Sequence, residues 1–307
     1  MKGATVAVLA AGVGNRYGGL KQFEKFGTGR HCILEYSLFF AYRHGFRRAV
    51  FIVQKLQRES VEQHFSSLRR CMEIQFVEQD LFDVPKGAVI PPGRRKPWGT
   101  AHALYALRHT LRGPFVLING DDLYGDEAWH KMAHLMKSYP HDSGMVAYRL
   151  RCTLPKEGSV CRGICTIRDG HLRKIREYFQ LKHFQGKIMD EKTGKCFHGS
   201  EPTSMNFWYF NESIFTMLST SYGEFFFRDK TALMGEEWIL PAVIDQCISK
   251  GQLTIHVSVT DAPWVGLTNR IDAMFMEQHI DQLNRDGHYA KDLWGSLPSH
   301  PISRTIS

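Results

Sequence analysis

No stretch of this chain stays apolar for the roughly 18 residues that a membrane-spanning helix requires. The opening Met1-Lys2-Gly3-Ala4 runs into a strand pattern, without the apolar core and small-residue cleavage site of a secretory leader. Paired cysteines are lacking too. The seven cysteines are odd in number and contain no C-x-x-C, which argues against a disulfide framework and for buried, reduced thiols. Cys161 and Cys165 fall in a strand-like stretch, on one face. The expectation is a cytoplasmic protein with no membrane partner. Long basic runs are absent as well, the densest cluster being Arg94-Arg95-Lys96. A net charge of +8 without such a run suits small anionic ligands better than nucleic acid. No internal repeat is present.

What is there is an ordinary globular composition, 43% hydrophobic and 23% charged over 307 residues. That length buries one large α/β core or a domain with an insertion. Strand and helix patterns alternate through the first half, which predicts an α/β fold with a mostly parallel central sheet flanked by helices. Strands are expected at 4–9, 49–53, 74–77, 115–118 and 144–150, and helices at 33–44, around Val61, Phe65 and Leu68, at 100–111 and at 126–137. The second half reads as β-rich. Asp169-Gly170 sits between 163–167 and 172–175 as a hairpin signal. A strand follows at 205–210, helices at 236–250 and 270–284, and a strand at 255–259. The organisation expected is one domain over 1–285, with its halves meeting near residue 150, and a tail from 286 to 307.

The first strand leads into Ala10-Ala11-Gly12-Val13-Gly14-Asn15-Arg16-Tyr17-Gly18-Gly19-Leu20-Lys21-Gln22. Glycines at 12, 14, 18 and 19 let backbone approach a ligand closely. Arg16 and Lys21 can bring charge to phosphate oxygens, the first as a planar fork and the second as a point charge. Two familiar glycine loops fail here. The dinucleotide fingerprint needs a third glycine where Tyr17 stands, and the Walker A loop needs Lys and Ser or Thr where Leu20 and Gln22 stand.

The pattern left, L-A-A-G-x-G-x-R-x-G-G-x-K-Q, resembles the signature of nucleotidylyltransferases with a GT-A-like, Rossmann-type fold. That group includes sugar-phosphate nucleotidylyltransferases, methylerythritol-phosphate cytidylyltransferases and molybdenum-cofactor nucleotidyltransferases. The resemblance implies catalytic roles for Arg16, Lys21 and Asp121, and nucleotide contacts from Leu9, Ala10, Ala11, Gly12 and Gly14. A second motif ends the strand at 115–118 in Asn119-Gly120-Asp121-Asp122, and ligands of open α/β sheets bind at such carboxyl ends. By resemblance Asp121 holds Mg²⁺ and Asp122 orients water or acceptor. Magnesium commonly takes one or two protein carboxylates plus substrate phosphates.

A third motif, Pro97-Trp98-Gly99-Thr100-Ala101-His102, resembles the family's base pocket, with Gln79 as base reader and Thr100 as cap of the helix that follows. His102 reads as a packed or solvated helix residue. For the acceptor, the resemblance points to Gly163, Glu177, Asn206 and Glu237. A lysine usually follows the acid at 177; here Tyr178 does, and Lys182 is the nearest substitute. Many family members also place a second metal-binding Asp two residues after a Trp. Gly266 occupies that position after Trp264, so Asp261 is the expected second ligand and Asp272 a weaker one. His130 and His134 share a helix face without a third ligand.

The activity implied is transfer of a nucleoside monophosphate from an NTP to a phosphorylated small molecule, a sugar 1-phosphate first, with release of pyrophosphate. The alternatives are a cytidylyltransferase acting on phosphocholine or a polyol phosphate, a GT-A glycosyltransferase, and a non-catalytic regulatory homologue. A homo-oligomer is left open.

Overall fold

The structure, a computed structural model, describes residues 4–12, 23–155, 158–228, 233–267, 270–289 and 292–295. The expectations placed on Gly14, Arg16 and Lys21 lie outside them. Strands β1 (Thr5–Leu9), β2 (Arg48–Val53), β3 (Glu73–Glu78) and β4 (Phe115–Asn119) form the nucleotide-half sheet. β1 pairs in parallel with β2 on one side and with β4 on the other, and β2 pairs in parallel with β3. Their sequences are continuous apolar runs because both faces are covered. Val6, Val8, Phe51, Val116 and Ile118 belong to one core, whereas Ala7, Val50, Ile52, Phe115 and Leu117 belong to the other.

Beyond β4 the pairing is mostly antiparallel, although Ile255–Thr260 runs parallel to Ser143–Arg149, so that as a whole the sheet is mixed. The further strands are β5 (Ser143–Arg149), β6 (Val160–Arg168), β7 (His171–Phe184), β8 (Lys187–Asp190), β9 (Cys196–Phe197), β10 (Pro202–Ser204), β11 (Trp208–Phe210) and β12 (Ile255–Thr260). Hydrogen bonding orders them β9-β8-β7-β6-β10-β5-β11-β4-β1-β2-β3, with β12 beside β5 and β7. The Asp169-Gly170 turn joins β6 to β7, and both residues take positive φ, 53° and 73°, as a tight hairpin requires. The strand expected at 205–210 is confined to Trp208–Phe210, because Asn206 turns the chain at φ 54° between β10 and β11. The far hairpin carries its own small core of Leu150, Tyr178, Leu181, Ile188 and Phe197.

Helices α1 (Ile33–Arg43), α2 (Arg58–His64), α4 (Asp126–Ser138) and α7 (Arg270–Arg285) cover the first face, and α3 (Thr100–Ala106), α5 (Ser213–Phe226) and α6 (Leu240–Ser249) cover the second. The helix expected from 236 starts at Leu240, leaving Glu236 and Glu237 in the preceding loop. Residues beyond 286 are not all tail. Tyr289, Leu293 and Trp294 are buried in the core, where Tyr289 meets Tyr36 and Phe40, and Trp294 meets Phe39. An apolar face on α1 needed covering, and three large side chains among Ser and Pro supply it. The thiols are divided. Cys32, Cys71, Cys165 and Cys247 are buried, Cys161 and Cys196 are exposed, and all seven are free.

α1 is closed at both ends. At its C-terminus Gly45 N–H donates to Tyr42 O and Phe46 N–H to Ala41 O, the paired bonds that end a helix on a left-handed glycine. At its N-terminus Cys32 and Glu35 form a reciprocal capping box. Glu35 accepts from Cys32 N–H at 2.9 Å and lies 3.2 Å from His31 Nδ1 and 3.8 Å from His64 Nε2. Burial raises its carboxyl, but these donors outweigh burial and hold it well below the usual carboxylate range. Glu35→Ala should therefore cost about 1.5–3 kcal/mol at neutral pH. A depressed native value means the stabilisation is present above the unfolded glutamate range and fades as pH falls through the native one. Urea titrations of both proteins at pH 7 and pH 3.5 should show the gap narrowing on acidification.

Candidate active site

Parallel pairing aligns Leu9 with Ile52 and with Asn119, so β1, β2 and β4 end side by side. Gly120 N–H donates to Leu9 O, and a β-carbon at 120 would stand 3.0 Å from that oxygen. The glycine-motif strand and the acidic turn are thereby brought together. Two cavities flank this seam.

The larger, about 630 Å³, is lined by Leu9, Ala11, Gly12, Gln79, Gly99 and Thr100, with Arg95, Lys96 and Glu237. Ala10 and Ala101 do not line it. Both are buried, and their N–H groups are committed to Ile52 O and Trp238 O. Gly99 takes φ 104°, and a β-carbon there would stand 2.6 Å from Trp238 O. Thr100 is the first residue of α3 rather than its cap. Its hydroxyl accepts from Leu240 N–H at the start of α6, and Gly99 holds the cap position.

Gln79 follows β3 directly. Its side-chain N–H donates to Gly99 O at 3.0 Å and lies 3.3 Å from His102 Nδ1. His102 is fully buried, with Nε2 2.7 Å from Asp83 O. Asp83 O can only accept, so Nε2 carries the proton and Nδ1 accepts from Gln79. Burial, the largest influence, lowers the imidazole pKa and keeps it neutral. His102 thus fixes the amide orientation and leaves Gln79 Oε1 as the acceptor on the cavity side. Packing was the expected role; holding Gln79 was not.

The basic cluster divides. Arg94 is buried, stacks 3.7 Å over Trp98, and donates to the carbonyls of Leu233, Met234 and Glu236. Arg95 and Lys96 face the cleft, Lys96 pairing with Glu237 at 2.5 Å. Glu237, expected at the acceptor, therefore stands on the larger cleft instead, because α6 begins after it.

The smaller cavity, about 240 Å³, lies across the seam. Asp121, Asp122, Gly163, Glu177 and Asn206 all line it, with Arg162, Ser204 and Trp264. Asp122 is buried. Its Oδ2 accepts from Asn119 Nδ2 at 2.8 Å and lies 3.1 Å from the Tyr124 hydroxyl. Burial first, then the charge of Asp121, pushes the carboxyl up to about 7. Glu177 lies directly opposite Gly163 in the β6–β7 ladder. It accepts from Cys161 Sγ at 3.3 Å, and burial raises its pKa.

Asp261 is turned elsewhere. It follows β12 directly, paired with Arg151, with Arg149 at 3.9 Å, and does not line the cavity. Among the described residues, the one group of three metal-capable atoms within 4.8 Å is Cys32, Glu35 and His64, so Asp121, Asp122 and Asp261 do not converge, nor do His130 and His134 gain a third partner. Gly266 explains why no carboxylate stands in the usual place. It bridges Asp122, and a β-carbon there would stand 2.5 Å from the Trp264 ring and 2.9 Å from Asp122 Oδ1. Lys182 pairs with Glu191 at 2.5 Å, away from the cavity. The cation in the cavity is Arg162, which strand alternation alone did not single out.

No protein-family model matches the chain, and no curated protein matches it in sequence. Solved structures do match. The inositol-1-phosphate CTP transferase from T. maritima superposes with a TM-score of 0.62 at 15% identity, covering 96% of this chain and 97% of that one. A protein assigned as a glucose-1-phosphate thymidylyltransferase from Bacillus anthracis, in complex with a sucrose, gives a TM-score of 0.62 at 14% identity, covering 94% and 99%. The chain has the α/β fold of these nucleotidyltransferases over nearly its whole length.

Gly163→Ala tests the smaller cavity. The added β-carbon would stand 2.8 Å from Glu177 Oε1 and 3.0 Å from Ile175 Cγ2. Overpacking of this kind costs about 1–3 kcal/mol, so a urea titration should show that loss, and a crystal structure of the variant should show Glu177 displaced.

Proposed function

We propose that the protein transfers a nucleoside monophosphate from an NTP to a phosphorylated small molecule, a sugar 1-phosphate first among the candidates, and releases pyrophosphate. The observation that carries this reading is the seam itself. One cleft with a base-edge acceptor and basic rim meets one smaller, acidic cavity at the carboxyl ends of β1 and β4, with Asp121 on the cavity side. The fold neighbours act, by their names, on inositol 1-phosphate with CTP and on glucose 1-phosphate.

An acceptor phosphate oxygen attacks the α-phosphorus, and the bond to the leaving pyrophosphate breaks. The nucleophile is already anionic, so no protein nucleophile or strong base is needed. Positioning and charge neutralisation do the work. Gly12 and Gly14 let backbone N–H groups approach phosphate, and Arg16 and Lys21 meet the charge that grows on pyrophosphate. Gln79 Oε1 receives a donor from the base edge.

The oxygen-only donors Asp121 and Asp122, adjacent and mutually repelling, fit a hard divalent cation. Asp121 would hold Mg²⁺, with Asp122 as the neighbouring carboxylate. When bound, the ion would supply neutralisation of phosphate charge. With Asp261 turned away, one strand end supplies the protein carboxylates.

A pyrophosphate-release screen of five NTPs against sugar and alcohol phosphates with Mg²⁺ tests the reading. One productive pair is expected. Transfer or hydrolysis from a nucleotide sugar without pyrophosphate would replace it with glycosyl transfer. Asp121→Asn should abolish Mg²⁺-dependent turnover while the circular dichroism and melting temperature stay near wild type; activity retained at limiting Mg²⁺ would remove Asp121 from the metal. Lys21→Ala should lower kcat about 10²-fold or more, with kcat/KM falling alongside, because its contact strengthens in the transition state.

A further inference from the structure

We infer that Arg162, in the smaller cavity, is the ligand of the acceptor's phosphate group. The inference rests on the nucleotidyl-transfer reading for its place in the reaction, and on geometry for the anion site itself. Three carboxylates line the cavity, Asp121, Asp122 and Glu177, and Arg162 is the one basic residue among its described lining. Carboxylates alone would repel a phosphate. Among the described residues that line the cavity, Arg162 is the one charged side chain that can meet an anion directly.

The guanidinium is built into place. Its Nε and Nη2 donate to Thr153 O at 3.2 and 2.5 Å, and its Nη1 donates to Cys161 O at 2.8 Å. Trp264 lies against its face at 4.8 Å. An arginine has five N–H donors. Each Nη therefore retains one N–H beyond these bonds among the described residues, a pair suited to two oxygens of one phosphate. Neither carbonyl that holds the group carries a formal charge, so its positive charge is directed to the cavity. Burial lowers its pKa to about 10, with Asp122 opposing, so it is cationic throughout the physiological range.

The rest of the cavity reads hydroxyls. Glu177 presents a carboxylate over the backbone of Gly163, and Ser204 and Asn206 add small polar groups. Tyr178 stands opposite Arg162 in the ladder but packs into the hairpin core. The cation thus comes from β6, across from the position where the sequence suggested a lysine on β7. A competing role is purely structural: Arg162 could exist to balance Asp122 in the fold.

The test separates these. Full-length protein carrying Lys21→Ala, which weakens the other phosphate contact, is titrated with inorganic phosphate by calorimetry, with and without Arg162→Gln. Arg162→Gln should weaken phosphate binding roughly 10- to 100-fold, as expected for lost charge-assisted hydrogen bonds. In the pair found by the release screen it should raise the acceptor KM by a similar factor and leave the NTP KM unchanged, with Arg162→Lys recovering part of the loss. Equal phosphate affinity with a lowered melting temperature would overturn the inference in favour of charge balance. If Arg162→Gln folds poorly, the Asp122→Asn/Arg162→Gln double variant, which buries neither charge, is titrated against Asp122→Asn with the same expectation. Phosphate binding lost without Arg162, in a protein that releases no pyrophosphate with any pair, would sink the transferase reading and leave the anion site standing.

Discussion

Everything at the site hangs on the parallel pairing of β1 with its two neighbours. Residue-by-residue alignment of Leu9 with Ile52 and Asn119 brings the ends of three strands to one line. Both faces of that small sheet are buried, so a slip in register would exchange side chains between two differently shaped cores and break the packing of both. The register is held by the whole core, and the chemistry at the strand ends borrows its precision. Gln79 at the end of β3, Gly12 after β1 and Asp121 after β4 need no local device to find one another.

The second cavity is built differently. Antiparallel strands β6, β7 and β10 supply it, and alternation along each decides which side chains enter. Gly163 is the hinge of that arrangement, because its missing side chain is the space in which Glu177 lies. The polar groups there hold one another through few, specific contacts. Asn206 reaches Asn119 and accepts from Trp208, while Tyr124 ties the acidic turn to Met205. One cleft is made by backbone ends and the other by side chains on strand faces.

That difference explains what could be read from the sequence. The apolar runs of β1, β2 and β4, Gly12 and the Asp121-Asp122 step are local signals, and each survives translation into structure. Gly163, Glu177 and Asn206 reached one cavity because they sit in ordered strands or tight turns. The failures were non-local. Glu237 stands on the other cleft because α6 starts later than its hydrophobic period suggested. Asp261 lies at a strand end, as expected, yet the side chain answers to two arginines from β5 and its continuation. Lys182 found Glu191 across a hairpin. Arg162 stood in the Arg162-Gly163-Ile164 segment that resembled the family's acceptor-binding backbone, but its side chain was passed over, since an arginine beside a glycine in a strand usually faces water. The core role of Tyr289 and Trp294 was hidden by polar neighbours.

The contact between Gly266 and the Trp264 ring links the two positions. Space at 266 exists only while nothing larger than hydrogen stands there, and Trp264 occupies it. A chain with a carboxylate at 266 must have a different ring position at 264, and with it a different face over Arg162. A change at either position therefore forces a change at the other. A lineage moving by single replacements between this arrangement and a two-carboxylate one would have to shrink or turn the tryptophan before the acid could arrive. In the interval it would hold neither a covered guanidinium nor a second carboxylate.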